Sequence, residues 1–565
     1  MPIRPAGGLR AASRARFSVA YAGPVTTDFE RIREVAERWR AAEPDDDLRA
    51  ELSELLAGPP DVLAARFTGR LQFGTAGLRA EVGAGPLRIN RLVARQAAAG
   101  LGEYLLDTVP EAADAGVLIG YDARRKSDTC AADTARALAA MGIRAYLFDQ
   151  RVPTPLVSWG VTEVGAAAGV VVTASHNPPA DNGYKVFLGD GSQIVTPHDT
   201  LISERIDRFD PTTVALAALN DPLIVMVGDE LIEAYLAAVP SVRRASSVAG
   251  VTVAYTALHG VGGAMIERAF AVAGLPAPVV VGAQHEPDGS FPTVAFPNPE
   301  EPGAMDLLFE LAAASGAAVA LANDPDADRL GVAIPQADGG WRRLGGDEIG
   351  WLLAEYILTS GDGDTDAADR LVVTTLVSSG LLAKMAAARG IEAVETFTGF
   401  KWVAHEIRKR PTKRFVFGYE QALGYLVAER PRDKDGITAA VLFAEIAAVA
   451  AERGITLQQW LDAIGDRYGH HRLADRSVRM SPAEGTAAVG VLRAAPPSEV
   501  GGRPVVAVED YPEANLLRLE LEGDAGNTIR VQVRPSGTEP KVKLYGEAVG
   551  EDPGPFLDAL AAMLG

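Results

Sequence analysis

Short apolar runs alternate with longer segments of helical periodicity through most of the chain. Runs of this length predict buried strands, and their alternation with helices is typical of α/β proteins. The predicted strands are residues 117–122, 144–148, 168–173, 251–256, 279–282, 317–322, 371–376 and 415–418. The predicted helices are residues 127–141, 262–273, 305–315, 381–389 and a segment from about 346 to 358.

The pattern changes after about residue 456, where apolar and polar positions alternate more strictly. Three such segments, at 516–521, 528–533 and 542–547, predict an antiparallel sheet, and residues 555–564 predict a closing helix. Candidate linkers lie at 210–221, at 335–346 and near Gly454. The pattern therefore predicts three α/β units followed by one α+β unit, with bounds at 28–215, 216–335, 336–455 and 456–565. The first three units are candidates for one repeated topology, although no sequence period demonstrates a repeat.

Length and charge narrow the classes of function. A chain of 565 residues exceeds what one hydrophobic core organises, and about three to five domains are expected. Hydrophobic residues make up 48% and charged residues 23%, as in ordinary soluble proteins. The net charge of -20 disfavours binding to nucleic acid or to anionic membranes. An anionic small-molecule substrate would need a local basic pocket.

The chain contains a single cysteine, Cys130, so no intrachain disulfide can form. This fits a reducing compartment, and we expect a cytoplasmic protein. The most apolar segment, residues 437–450, is short and is interrupted by Glu445, so it predicts a buried helix rather than a membrane span. Residues 1–27 contain several arginines and no acidic residue, and we expect a disordered or variable tail there.

A polar loop follows the predicted strand at 168–173 and contains Ser175, His176 and two prolines, with Lys185 further along the chain. Active sites of open α/β sheets lie at the carboxyl ends of strands. A serine hydroxyl becomes a nucleophile only with a base, metal or cation, and His176 or Lys185 could supply proton transfer or charge. Serine, asparagine and proline also mark ordinary turns, so this loop alone fits either interpretation.

A second loop places three alternating aspartates, Asp324, Asp326 and Asp328, directly after a predicted strand and before Arg329. Like charges this close repel unless a cation holds them together. Carboxylate oxygens suit Mg²⁺, and the loop lacks the ligand pattern of a calcium-binding EF-hand. The sequence favours a metal site over a solvated acidic turn.

Residues 534–541 read Arg-Pro-Ser-Gly-Thr-Glu-Pro-Lys. A guanidinium, two hydroxyls, a glycine amide and a lysine are the components of a phosphate-binding loop. The segment also fits a β-turn between the predicted strands 528–533 and 542–547, and both interpretations can hold together.

Further candidate loops lie at 396–402 and 418–425, where Glu420 stands among aromatic and small residues. A carboxylate in such surroundings could bind sugar hydroxyls. Near the N-terminus, residues 73–79 form a glycine-containing loop that ends at Arg79. These signals are weak when each is taken alone.

Together these loops resemble the α-D-phosphohexomutases, the phosphoglucomutase/phosphomannomutase superfamily, from about Phe73 to the C-terminus. Ser-His-Asn-Pro at 175–178, the aspartates at 324–328 and Arg-Pro-Ser-Gly-Thr-Glu-Pro at 534–540 carry the resemblance. Thr-Gly-Phe-Lys-Trp at 398–402 and Gly-Tyr-Glu at 418–420 resemble the longer branch, which includes phosphopentomutases and a bisphosphate synthase. The resemblance implies an α/β fold of four domains around a central cleft: three similar mixed-sheet domains plus a C-terminal α+β domain, each providing one loop.

The resemblance also implies a role for each loop. The implied catalytic residues are the phosphoserine Ser175 with His176, Lys185 and Arg79. The implied Mg²⁺ ligands are the Ser175 phosphate, Asp324, Asp326 and Asp328. The implied substrate-binding residues are Thr75, Arg329, Thr398, Gly399, Lys401, Glu420, Arg534, Ser536, Gly537, Thr538 and Lys541. Many relatives carry serine where this chain has Ala422, which leaves the preferred sugar open.

The reaction implied by the resemblance moves phosphate between positions 1 and 6 of glucose or mannose, through a hexose 1,6-bisphosphate that also serves as activator. We expect a phosphosugar as the partner molecule, no nucleic acid or membrane partner, and a monomer or homodimer. Either Lys185 or His176 is the expected general base. The alternatives are a phosphopentomutase, a glucose 1,6-bisphosphate synthase and, from another class, a non-catalytic phosphosugar-binding sensor.

Overall fold

A computed structural model describes residues 28–72, 77–245, 248–360, 366–536 and 540–564. The tail predicted at residues 1–27 lies outside the described residues. Within the described part of the chain, no helix combines the length and apolar character needed to cross a membrane.

The first domain contains a six-stranded mixed sheet. Its strands are β1 (Leu78–Glu81), β2 (Val117–Tyr121), β3 (Ala145–Phe148), β4 (Ala168–Val172), β5 (Asp181–Leu188) and β6 (Ile224–Val227), in the order β1-β5-β4-β2-β3-β6. The helices before and between these strands are α1 (Asp28–Ala42), α2 (Asp46–Ala57), α3 (Pro60–Phe67), α4 (Arg91–Thr108), α5 (Ala112–Ala115), α6 (Ser127–Ala140), α7 (Thr154–Val164) and α8 (His198–Ile206).

The second domain contains a five-stranded sheet in the order β11-β10-β9-β7-β8. Its strands are β7 (Val253–Thr256), β8 (Val279–Val280), β9 (Val319–Ala322), β10 (Gly331–Pro335) and β11 (Trp341–Arg343). Its helices are α9 (Asp229–Ala238), α10 (Gly263–Val272) and α11 (Asp306–Ser315).

The third domain contains a four-stranded sheet in the order β13-β12-β14-β15. Its strands are β12 (Arg370–Thr375), β13 (Glu392–Thr396), β14 (Arg414–Glu420) and β15 (Gly424–Leu426). Its helices are α12 (Gly346–Thr359), α13 (Leu381–Ala387), α14 (Phe400–Arg408), α15 (Gly436–Glu452) and α16 (Leu457–Tyr468).

The fourth domain is the predicted α+β unit, with a six-stranded antiparallel sheet in the order β16-β21-β20-β19-β18-β17. Its strands are β16 (His471–Arg479), β17 (Glu499–Val500), β18 (Arg503–Tyr511), β19 (Leu516–Glu522), β20 (Thr528–Pro535) and β21 (Lys541–Val549). Its helices are α17 (Pro482–Ala494) and α18 (Gly554–Leu564), which pack on a separate apolar core.

The first three sheets share one core topology. The orders β5-β4-β2-β3, β10-β9-β7-β8 and β15-β14-β12-β13 match strand for strand, with the same parallel and antiparallel pairings. The suspected structural repeat is therefore present, although the sequence shows no period. The fold can repeat without a repeated sequence, because a buried sheet requires apolar strands but not particular residues in them.

The turn between the third and fourth strands of each repeat carries one of the predicted functional loops. Ser175 lies in the β4–β5 turn, the three aspartates lie in the β9–β10 turn, and Glu420 ends β14 at the β14–β15 turn. Each turn also holds a residue other than glycine with positive φ: Ser175 at 52°, Ala327 at 56° and Leu423 at 61°. Ser175, Asp328 and Glu420, one residue from each of these equivalent turns, line the same cavity.

Two elements belong to a different domain from the one expected. β6 pairs with β3 in parallel, Tyr146 opposite Val225, so the first sheet continues past the expected boundary at 215/216. α16 packs against α12, α13 and α15, with Trp460 and Ile464 in the apolar core of the third domain, beyond the expected boundary at 455/456. Tertiary packing decides both points, and the local pattern does not carry that information.

The fourth domain is attached to the third through a buried network of charged groups. The Glu547 carboxylate on β21 accepts hydrogen bonds from Ser379 Oγ at 2.5 Å and from the Gly380 amide at 3.0 Å. Arg530 on β20 contacts the same carboxylate at 2.5 Å. Burial acts to raise the pKa of Glu547, but Arg530 and His471 lower it to about 2. This contact places the β20–β21 hairpin beside the turns of the other domains.

Candidate active site

Ser175 is held in the β4–β5 turn with its hydroxyl directed at the second domain. The Thr173 hydroxyl accepts a hydrogen bond from the Ser175 amide at 2.8 Å, which fixes the start of the turn. Ser175 Oγ donates to Asp324 Oδ2 at 2.7 Å, and the residue is only 2% exposed. The predicted nucleophile and the first predicted metal ligand therefore touch, although 149 positions separate them in the chain.

The three aspartates of the β9–β10 turn form a cluster with metal-binding geometry. One carboxylate oxygen from each of Asp324, Asp326 and Asp328 lies within 4.8 Å of the others, and all three residues are buried. Within the described part of the chain, Asp326 Oδ1 and Asp328 Oδ1 have no hydrogen-bond partner despite their burial. Orphaned buried oxygens are costly, so this donor set fits a hard divalent cation.

Two lysines neutralise the inner side of this cluster. Lys185 Nζ on β5 contacts Asp326 Oδ2 at 2.7 Å and Asp328 Oδ2 at 2.8 Å. Lys434 Nζ lies 3.3 Å from Asp328 Oδ2. Burial opposes ionisation, but these two ammonium groups hold the pKa of Asp328 well below its usual range. The same contacts raise the pKa of Lys185 despite its burial.

Asp324 has the opposite electrostatic environment. Burial and the charges of Asp326 and Asp328 raise its pKa well above the usual range. Among the described residues, its nearest cation is Arg329, whose Nε lies 3.9 Å from Oδ2. This raised pKa favours the protonated form of Asp324, the carboxylate that faces Ser175, when no metal offsets the neighbouring charges.

His176 lies beside the nucleophile. Its Nδ1 is 3.2 Å from Ser175 Oγ, and its ring faces the Phe296 ring with centroids 6.4 Å apart. Burial and the nearby Arg329 and Arg79 lower the pKa of His176 well below its ordinary value. A neutral imidazole beside a hydroxyl can accept a proton.

A cavity of about 270 Å³ opens beside Ser175 and brings most of the predicted site together. The predicted residues that line it come from all four domains: Arg79, Ser175, Lys185, Asp328, Arg329, Thr398, Gly399, Lys401, Glu420, Arg534 and Ser536. The wall is rich in cationic side chains. Because the chain as a whole is acidic, an anionic substrate would need such a local basic pocket. Burial raises the pKa of Glu420 on this wall.

Some predicted residues stand elsewhere. Among the described residues, the cavity wall includes Lys543, opposite Arg534 in the hairpin, rather than the predicted Lys541. Lys541 begins β21, and its carbonyl accepts the Ser536 amide at 2.9 Å. Strand alternation puts both lysines on one face of β21, but only the second reaches the cavity. Thr75, Gly537 and Thr538 lie outside the described residues.

The sequence analysis missed several residues of the site. The wall also contains Gln193, Phe400 and Lys434, and Lys434 Nζ lies 5.7 Å from the centre of the Phe400 ring. A signal for Lys434 existed: Asp433-Lys434-Asp435 precedes the buried helix α15, whose first amides are capped by Asp435. Gln193 has no such signal, because it reaches the cavity only through the tertiary fold.

Comparisons with known proteins agree with this geometry. Residues 70–212, 231–339 and 345–468 match the alpha/beta/alpha domains I, II and III of the phosphoglucomutase/phosphomannomutase family. A probable phosphomannomutase of Haemophilus influenzae is 40% identical over 474 residues, which cover 82% of this chain and 94% of that protein. A probable phosphoribomutase of Schizosaccharomyces pombe is 36% identical, covering 91% of this chain and 93% of that protein.

A solved structure and a further relative extend the comparison. A putative phosphomannomutase from Thermus thermophilus superposes with a TM-score of 0.68 at 23% identity, covering 88% of this chain and 99% of that chain. This likeness supports the fold. A human phosphopentomutase is 38% identical, covering 73% of this chain and 71% of that protein. The chain therefore belongs to the phosphoglucomutase/phosphomannomutase family, the α-D-phosphohexomutases, and is a mutase that transfers phosphate within its substrate.

Proposed function

We propose that the protein is a Mg²⁺-dependent phosphohexomutase that interconverts the 1- and 6-phosphates of glucose or mannose. The observation that carries the proposal is the contact of Ser175 Oγ with Asp324 at the wall of a cation-lined cavity. The proposed cycle begins with phosphorylated Ser175, which donates its phosphoryl group to a hydroxyl of the bound monophosphate. The resulting 1,6-bisphosphate turns round and returns its other phosphate to Ser175.

Asp324, Asp326 and Asp328 would hold the magnesium ion together with the phosphoserine. The bound ion would supply positive charge for the oxygens of the transferring group, which is the main task in phosphoryl transfer. The chain's own cations serve the same end. Lys185 and Arg329 line the cavity next to Ser175, and Arg79 donates to Asn177 Oδ1 at 3.0 Å in the same loop.

Both ends of a bisphosphate need binding groups. Arg534 and Ser536 line the cavity from the fourth domain and would hold the phosphate that does not react. A guanidinium binds phosphate oxygens in pairs, and a hydroxyl adapts to either orientation. Since either phosphate of the intermediate must fit here in turn, a pocket made of donors suits the reaction.

The proton of the attacking sugar hydroxyl needs an acceptor, and the two candidates differ in their contacts. Lys185 Nζ is engaged by two carboxylates, at 2.7 and 2.8 Å. His176 Nδ1 is 3.2 Å from Ser175 Oγ. These contacts support the proposal that Lys185 stabilises charge and that His176 accepts the proton. Glu420, with Thr398, Gly399 and Lys401 across the cavity, would bind sugar hydroxyls.

A phosphopentomutase is the second candidate. Proteins of that name are 33–38% identical to this chain, and the mouse protein matches over 92% of the chain. A glucose 1,6-bisphosphate synthase is a further candidate. A human protein of that name is 34% identical to this chain, and the name points to a phosphosugar. We propose a cytoplasmic monomer or homodimer in each case.

The test is a substrate panel with purified protein and Mg²⁺: glucose 1-phosphate, mannose 1-phosphate and ribose 1-phosphate, each with a trace of its bisphosphate. Preferred turnover of a hexose phosphate supports the proposal. Preferred turnover of ribose 1-phosphate supports the second candidate, a phosphopentomutase. Ser175→Ala should abolish turnover but keep substrate binding, whereas Ser53→Ala on the exposed face of α2 should not change it. Binding without turnover by the unaltered protein would indicate a sensor.

A further inference from the structure

Arg124 is a buried cation that the mechanism above does not use. It follows the strand β2, its side chain is fully buried, and it does not line the cavity of the described residues. Burying a guanidinium is expensive unless its donors are satisfied. Arg124 is satisfied almost entirely by backbone carbonyls of one loop, the loop that carries Ser175.

The guanidinium spans the whole serine loop. Its first terminal nitrogen donates to the carbonyls of Pro178 at 2.8 Å and Asp181 at 2.9 Å. Its second terminal nitrogen donates to the carbonyls of Ser175 at 2.6 Å and Asn177 at 2.5 Å. A flat fork of donors can reach several carbonyls in fixed directions, and a lysine ammonium cannot copy that geometry.

The amide side of Ser175 is held from the same strand end. Asp122 Oδ2 accepts the Thr173 hydroxyl at 2.6 Å, and the Thr173 hydroxyl in turn accepts the Ser175 amide at 2.8 Å. Asp122 Oδ2 also lies 3.5 Å from Arg124 Nε. One ion pair at the end of β2 thus fixes both peptide groups that flank the Ser175 Cα.

The backbone of Ser175 needs such support. Its φ of 52° is a left-handed conformation, which is sterically unfavourable for a residue that carries a Cβ atom. This conformation directs Oγ across the domain boundary to Asp324. The Arg124 guanidinium also stacks 5.0 Å from the ring centre of Phe291, which belongs to the second domain. The same cation therefore contacts the domain that carries the metal-binding aspartates.

We propose that Arg124 is a positioning residue for phosphoryl transfer: it fixes the left-handed turn at Ser175 and thereby aims the nucleophilic oxygen at the aspartate cluster and the cavity. This inference rests on the proposed function and adds to it a residue that touches neither substrate nor metal. A displacement of about 1 Å in a reacting group can lower a rate by about 10²-fold.

The test compares Arg124→Ala with Arg136→Ala, which removes an arginine of the same domain that bonds the Ala217 carbonyl away from the site. We expect Arg124→Ala to lower kcat about 100-fold with KM changed less than about threefold, since the substrate-binding groups remain. Added guanidinium should recover about tenfold of the lost rate by filling the vacated space. Arg136→Ala should show neither the loss nor the rescue.

A second measurement does not depend on activity. Hydrogen exchange of the amides from 175 to 181 should become at least about tenfold faster in Arg124→Ala than in the unaltered protein or Arg136→Ala, because four carbonyl contacts are lost. If the unaltered protein turns over no phosphosugar, the proposed function fails, and the exchange experiment still decides the role of Arg124.

Arg124→Lys covers the case in which the alanine variant does not fold. It keeps the charge, and we expect a folded protein with impaired kcat and faster exchange in the loop. Wild-type kcat in a folded Arg124→Ala or Arg124→Lys would overturn the inference. Failure of both variants to fold would also overturn it, since Arg124 would then serve the scaffold as a whole.

Discussion

Ser175 Oγ and Asp324 Oδ2 lie 2.7 Å apart, and the two residues occupy equivalent turns of two domains with the same strand order. Neither turn is a complete site. One supplies a hydroxyl without clustered carboxylates, and the other supplies clustered carboxylates without a hydroxyl. Packing of the first two domains against each other brings the hydroxyl and the carboxylate into contact, so variants can be designed for each half separately.

Metal binding should appear as a stability effect that depends on Asp324. The unaltered protein should melt at a higher temperature in excess Mg²⁺, since a ligand at a hundredfold over its Kd stabilises by about 2.7 kcal/mol. Asp324→Asn should lose most of that rise. In chelator the variant should be at least as stable as the unaltered protein, because the charges of Asp326 and Asp328, with burial, disfavour the ionised Asp324.

The matched control is Glu310→Gln on the exposed face of α11, in the same domain. It should keep the full Mg²⁺-dependent rise measured by differential scanning calorimetry. An Asp324→Asn variant that gains as much from Mg²⁺ as the control does would contradict the metal site.

Lys185 should be essential for the stability of the metal-free cluster as well as for turnover. Lys185→Met leaves Asp326 and Asp328 without the ammonium that contacts both of them at 2.7 and 2.8 Å. Removing one partner of a buried ion pair costs about 3–5 kcal/mol. Urea unfolding without metal should show a loss of this order, and Mg²⁺ should restore part of it.

Lys409→Met provides the comparison, because Lys409, just after the end of α14, is 55% exposed and pairs with Glu406 three positions before it. A pair of this spacing with a solvent-exposed ammonium contributes about 0.5 kcal/mol or less. Equal losses in the two lysine variants would show that Lys185 does not stabilise the carboxylates.

The sequence predicts those features whose signal lies within one short segment, and it misses those that depend on contacts between distant segments. The strands that lead into Ser175 and Asp324 were identified, because apolar runs that end in polar loops are visible in one dimension. The assignment of β6 and α16 to their domains failed because it depends on which sheet or core each element joins. Arg124 was missed for a related reason: its four acceptors lie more than 50 positions away.

Glu420 should affect substrate use rather than folding. The carboxylate lines the cavity from the end of β14, and Glu420→Gln keeps its shape but removes the charge. A hydrogen bond to a charged group contributes about 1.5–3 kcal/mol, so kcat/KM should fall roughly 10- to 150-fold for the preferred sugar phosphate. Steady-state kinetics would measure the change. Glu429→Gln, at an exposed position of the third domain, should leave kcat/KM unchanged. If it lowered kcat/KM as much as Glu420→Gln does, the effect of Glu420→Gln would not reflect a contact with the sugar.

The final prediction concerns Glu43, at the end of α1 where the N-terminal helices pack on the first domain. Glu43 is 2% exposed, and its Oε2 has no hydrogen-bond partner among the residues that the structure describes. Burial raises its pKa from 4.5 to about 7, against the attraction of Lys126 and Arg95. The folded protein therefore binds this proton more tightly than the unfolded chain does. Stability should be fully present below pH 4.5 and should fall by about 3 kcal/mol as the pH rises to 7.

Glu43→Gln removes the titrating group, so its unfolding free energy should lack this component of the fall between pH 4.5 and about 7. Relative to the unaltered protein, the variant's free energy of unfolding should rise across that range. Urea unfolding at fixed ionic strength would measure the difference. Glu37→Gln on the exposed side of α1 is the control and should follow the unaltered protein at every pH. A Glu43→Gln curve that runs parallel to both would show that the carboxyl ionises as freely in the folded protein as in the unfolded chain.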